Sequence, residues 1–84
     1  MKKKRQDSFE GVLIPESFDE NGVPTEFALY TSTEDKFIIK PSFSLQVLEE
    51  KIRSQVAVFG ILQIEGKKKI IKAQAITPLS NKPL

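Results

Sequence analysis

The 84-residue chain carries 13 basic and 11 acidic residues for a formal charge of +2, 39% hydrophobic residues, and neither cysteine nor histidine. A chain this short forms one domain and buries only somewhat more than about 60% of the surface its unfolded form exposes. Without thiols there is no disulfide scaffold, sulfur-ligated zinc site or thiolate nucleophile, and without imidazoles the usual general base is gone, so an enzyme is the disfavoured class.

The charge is unevenly placed. Lys2, Lys3, Lys4 and Arg5 supply four of the 13 basic residues, which leaves nine against 11 acidic ones and a body that is acidic by two. This basic start is followed by Gln6, Asp7 and Ser8, where an export signal would need an apolar run. The longest strongly apolar run, residues 56–62, falls far short of the about 20 residues of a membrane-spanning helix. The sequence therefore reads as cytoplasmic and not membrane-bound, with a mobile basic arm over residues 1–8, a folded domain over 9–77 and a tail over 78–84 that holds two prolines.

Along the chain, residues 9–14 are short, β-rich and bounded by Pro15, and residues 16–24 hold the turn formers Asp19, Asn21 and Gly22. A strand followed by a long loop is predicted. Residues 25–31 alternate, with Phe27 and Leu29 on one side and Glu26, Ala28 and Tyr30 on the other, and a polar connection over 32–35 leads into residues 36–40. These are strands two and three, joined as a hairpin.

The period then changes. Ser44 suits a helix N-cap with Phe43 placed to staple onto Leu48, while Leu45, Leu48 and Ile52 share one face and Glu49 stands four before Arg53. A helix over residues 44–53 would be about 15 Å long, enough to cap a small barrel and too short to stand alone. Residues 56–64 follow as a strand apolar on both sides, with Val56, Val58, Leu62 and Ile64 on one and Ala57, Phe59 and Ile61 on the other. That pattern predicts a central strand, and Gly60 within it predicts a bulge or sharp bend. Glu65 and Gly66 open a turn into a fifth strand over residues 69–77.

Three strands, a helix and two strands is the order of the OB-fold, a five-stranded Greek-key barrel with its helix between strands three and four. The helix over 44–53, followed by Val56-Ala57-Val58-Phe59-Gly60-Ile61-Leu62, is similar to the fourth strand of small bacterial OB-like domains with their V-x-V-x-G pattern. The resemblance covers residues 9–77 and concerns the fold. It predicts a mainly β, OB-like barrel, ahead of an SH3-like barrel or an open sheet with the helix on one face, and leaves function open because this barrel hosts many unrelated activities.

In OB domains that bind nucleic acid, the loop joining strands four and five and the loop joining strands one and two flank the groove for a single strand. By that resemblance Lys67, Lys68, Lys69 and Lys72 would contact phosphates together with Lys3, Lys4 and Arg5, and Tyr30 and Phe18 are the stacking candidates. The same lysines equally suit a solvated hairpin that discourages edge pairing, Tyr30 a rim position and Phe18 a lid over the barrel end. Glu16, Asp19 and Glu20, in the region of the first loop, would repel a phosphate backbone. Phe9, Phe27, Phe37 and Phe59 are expected in the core. Asp19, Glu20 and Asn21 lack the spacing of a calcium loop, and Gly22, Gly60 and Gly66 are too far apart for a phosphate cradle, so no metal or cofactor is expected.

The expectation is a non-catalytic binding module for single-stranded DNA or RNA. The alternative is a protein-interaction or self-association module that uses an open strand edge, with Phe59 and Ile61 the apolar positions a partner would cover.

Overall fold

The computed structural model describes residues 7–79. Its elements run β1 (Asp7–Phe18), β2 (Pro24–Tyr30), β3 (Lys36–Pro41), α1 (Leu45–Glu49), β4 (Gln55–Glu65) and β5 (Lys68–Pro78). The strands close into a barrel in the order β1-β2-β3-β5-β4, with β4 returning to β1. All pairs are antiparallel except β3 with β5. This is the five-stranded barrel with one helix between strands three and four that the order of elements predicts.

Closure depends on β1 serving two neighbours. Its first half pairs with β4, from Asp7↔Gly60 to Val12↔Gln55, and its second half pairs with β2, from Val12↔Tyr30 to Phe18↔Pro24. The handover comes next to Gly11, where a Cβ would run into the Tyr30 carbonyl, so only glycine permits this approach. The strand also continues past Pro15, where the sequence suggested it would stop. Register shifts between Pro15 and Ser17 and between Ser17 and Phe18 accommodate the residue that cannot donate to the ladder.

A single apolar cluster fills the barrel: Leu13, Phe27, Leu29, Phe37, Ile39, Leu48, Val56, Val58, Ile71 and Ala73, with Phe9, Phe43, Ile52 and Ile76 packed against it. Each large side chain removed from water here contributes about 1.5–3 kcal/mol. Among the described residues no polar or charged side chain is buried, so the core has no desolvated charge to offset.

The helix is shorter than its periodicity implies. Ser44 does cap it, its Oγ accepting from Gln46 N–H at 3.1 Å, and Leu48 is fully buried. The helix proper nevertheless ends at Glu49, because Arg53 takes a left-handed φ of 66° and donates its N–H to the Leu13 carbonyl at 2.7 Å. The Leu13 N–H in turn donates to the Ser54 carbonyl at 3.2 Å. Backbone bonding to β1 wins over a further helical turn, and the expected Glu49–Arg53 geometry is not formed.

Gly60 behaves as predicted. The β4–β5 register shifts between Phe59 and Gly60, and a Cβ at Gly60 would overlap the Lys72 carbonyl. Two expectations for β4 fail at this point. Phe59 is 38% exposed rather than in the core, and the strand is not buried on both faces throughout, since Leu62 and Ile64 are 38% and 61% exposed. Phe59 is paired on both sides, with Ser8 and Ala75, and is exposed because it alternates with the inward Val58 and so faces out of the barrel.

Candidate binding face

Strand register decides which side chains share the outside of the barrel. Phe27, Leu29, Phe37 and Ile39 point inward, so the alternate positions Ala28, Tyr30, Lys36, Ile38 and Lys40 point outward. Through Ile14↔Ala28, Ala28↔Ile38 and Ile38↔Ile70, an apolar row crosses β1, β2, β3 and β5 on this outer face. Ala28 and Ile70 are buried although they stand outside the core cluster. Long polar side chains on either side of the row have apolar stems suited to covering it.

A polar network joins three strands across the row, with Tyr30 and Lys36 on the side of the β2–β3 turn and Glu16 reaching them from the other. Glu16 of β1 accepts from the Tyr30 hydroxyl of β2 at 3.3 Å and pairs with the Lys36 ammonium of β3. The Lys36 bond holds the Glu16 carboxyl below the usual carboxylate range, against partial desolvation that acts to raise it, and Glu16 in turn holds Lys36 above the usual lysine range. Tyr30 is thus on the expected face, with its hydroxyl engaged by a carboxylate.

On the other side, Lys40 and Lys72 are register partners across the parallel β3–β5 pair, and both are exposed. They flank a shallow groove of about 320 Å³ whose lining includes Pro41, Ser42, Ile61 and Ala73 and contains no carboxylate. The ion pairs formed among the described residues are Lys36–Glu16 and Lys69–Asp35, so neither Lys40 nor Lys72 has an acidic partner. Two like charges one strand apart repel each other mildly, and a bound anion would relieve that repulsion.

The run Lys67-Lys68-Lys69 does not act as one patch. Lys67 lies in the turn and is exposed, Lys68 shares the outer side with Ile70 and Lys72, and Lys69 shares the core side with Ile71. Lys69 lies 5.6 Å over the Phe37 ring and bonds Asp35 at 3.0 Å, so it closes the barrel over an aromatic. Its bond, together with the Thr33 hydroxyl, holds the Asp35 carboxyl below the usual range. The neighbour of the basic turn is therefore the β2–β3 turn. The loop holding Asp19 and Glu20 follows the far end of β1, at the opposite end of the barrel, and Phe18, 57% exposed, stands there too.

Asp19 has a local task, since its Oδ1 accepts from the N–H groups of Asn21 and Val23 and closes the β1–β2 loop. Among the described residues no three acidic groups gather as a metal site. A second hollow, of about 220 Å³, lies where β1 passes from β4 to β2 and is lined by Glu10, Tyr30, Thr31, Ser32 and Gln55 among others. Lys3, Lys4 and Arg5 lie outside the described residues.

Lys40 was not singled out from the sequence. Its alternation with Lys36 was legible, but its meeting with Lys72 depends on the parallel β3–β5 register, which joins residues 32 positions apart.

No protein-family model and no curated protein matches this chain. Among solved structures it is similar to a DUF3299 family protein from Pseudomonas aeruginosa PAO1, with a TM-score of 0.67 and 17% identity over 95% of this chain and 64% of that one. At that identity the likeness is one of fold, and the chain spans less than two thirds of the neighbour's length. Among the described residues no helix is long and apolar enough to cross a membrane.

Proposed function

We propose that this barrel is a non-catalytic binding module whose outer β2–β3–β5 face takes a phosphate-bearing single strand, DNA or RNA. The observation that carries the reading is the Lys40–Lys72 pair beside a groove free of carboxylates. Five-stranded barrels of OB type use the face of strands two and three for oligonucleotides. Lys68 stands on the same side of β5 and extends the positive track toward the turn. Lys36 and Lys69, already paired with carboxylates, contribute less. Phosphate contacts dominate here and base stacking is confined to Tyr30, so binding is weakly selective for sequence and falls steeply with salt.

Fluorescence anisotropy of a labelled oligonucleotide at low salt tests this. The expected dissociation constant lies in the nonspecific range of about 1–100 µM. Lys40→Glu with Lys72→Glu weakens binding at least tenfold, while Lys67→Ala changes it less than threefold. No binding at about 100 µM, or a double variant that binds like the parent, overturns the reading.

A further inference from the structure

We propose that the Lys40–Lys72 pair holds the end of the strand, gripping a terminal phosphomonoester in preference to a phosphodiester within the chain. The inference rests on the phosphate-binding reading of this face. The two lysines are register partners on adjacent parallel strands, about 4.8 Å apart, and both alternate with core residues, so their side chains leave the same outer side of the barrel. A phosphate inside a strand carries one negative charge, whereas a phosphomonoester ionises a second time near pH 6 and carries about −1.5 to −2 at pH 7. Two ammoniums without carboxylate partners balance the terminal group and leave an excess positive charge on a diester.

The surroundings of the pair stop a strand from running on across it. Glu26 of β2 stands opposite Lys40, one step beyond Phe27↔Ile39, and accepts from the Ser17 hydroxyl of β1 at 3.1 Å. Its carboxylate is thus engaged toward β1 and forms no ion pair with Lys40, and a phosphate continuing over β2 would meet this charge and be repelled. On the β4 side Lys72 faces Ile61, and toward the β2–β3 turn the next outward pair is Ile38 and Ile70. The positive ground is two residues wide, with one way on along β5 to Lys68, four residues and about 13 Å away. An end lodged at the pair therefore leads its strand toward Lys68 and away from Glu26. The groove has the size for this, since about 320 Å³ stands at the lower end of small-molecule pockets, room for a terminal nucleotide and not for a run of them. Ser42, tied to β5 by its N–H donating to the Ala73 carbonyl at 2.9 Å, adds a hydroxyl donor to the lining, and Pro41 and Ile61 add an apolar wall for the sugar.

Anisotropy at low salt decides it, with the full chain titrated into one internally labelled oligonucleotide that carries a 5′-phosphate, a 3′-phosphate or hydroxyls at both ends. At least one phosphorylated form is expected to bind about fivefold tighter or more than the hydroxyl form, and the favoured end fixes the direction of the strand. Lys40→Gln and Lys72→Gln should each bring that ratio below about twofold, while Lys68→Gln weakens all three forms and leaves the ratio unchanged. Equal affinity for the three forms overturns this inference and leaves the binding face standing. No binding of any form at about 100 µM overturns both. A ratio that survives Lys40→Gln and Lys72→Gln, or that falls as far with Lys68→Gln, overturns the inference as well.

Discussion

At the end of the barrel where β3 exits, α1 sets Leu48 into the core, and the segment after it exchanges backbone bonds with Leu13. At the other end, where β4 turns into β5, Leu62 and Ile64 stay exposed, and closure falls to a Phe9–Phe37 contact at 5.4 Å with Lys69 lying over Phe37. One end is held by apolar burial and backbone hydrogen bonds, the other by an aromatic pair and exposed ions. The one helix of the described residues covers the first end, and the other keeps Leu62 and Ile64 exposed.

The largest expected effect tests that contrast directly. Leu48→Ala removes a fully buried side chain and should lower stability by about 2–5 kcal/mol. Ile64→Ala, at the other end, removes a side chain that is 61% exposed and should stay within about 0.5 kcal/mol. Urea denaturation of the two variants decides it, and equal losses would mean that the ends are not different in kind.

A smaller pair of substitutions separates packing from backbone strain. Arg53 after α1 and Glu34 in the β2–β3 turn both hold left-handed φ values, 66° and 68°. Glycine relieves about 1–2 kcal/mol of that strain and returns roughly 0.5–1 as extra freedom of the unfolded chain. Arg53→Gly and Glu34→Gly should each raise stability by about 0.5 kcal/mol. Similar gains in thermal midpoint at both ends would place the difference between the ends in side-chain packing; a gain at one end alone would place part of it in the backbone.

The same division explains what the sequence made legible. Alternation in residues 25–31 named Phe27 and Leu29 as core, Ser44 announced the helix start, and Gly60 announced the bulge, because each depends on a local rule of spacing or sterics. The helix end was not legible, since it is set by a bond from Arg53 to Leu13, 40 positions away. Phe59 looked buried because hydrophobicity does not report which side of a strand turns out of the barrel, and Leu62 and Ile64 stay exposed although they share the side of Ile71. The candidate site suffered in the same way. The run of three lysines suggested one patch, whereas strand alternation divides Lys68 from Lys69, and the pair without carboxylate partners, Lys40 and Lys72, is assembled by parallel register alone.

The smallest effect concerns pH, and it should separate the β2–β3 turn from the α1 junction, because of these two segments the turn is the one tied by a carboxylate side chain. Asp35 and Glu16 have carboxyls held below their ordinary values by Lys69 and Lys36 respectively. Their contribution is complete above the ordinary carboxylate pKa of about 4 and is lost as pH falls through the lower folded-state values. Lys36 is raised, so its contribution is complete below the ordinary lysine pKa of about 10.4 and is lost as pH rises through the higher folded-state value. Exposed pairs of this kind contribute little and weaken with salt. The α1 junction relies on Leu48 and on peptide bonds that do not titrate. Amide protection factors measured from neutral pH down through the carboxylate range should therefore drop first in the β2–β3 turn, where Thr31 N–H donates to the Asp35 carbonyl, and hold at Arg53 and Leu13. Asp35→Asn should remove the drop in that turn, and equal loss of protection at both ends would show that acid acts on the whole barrel instead.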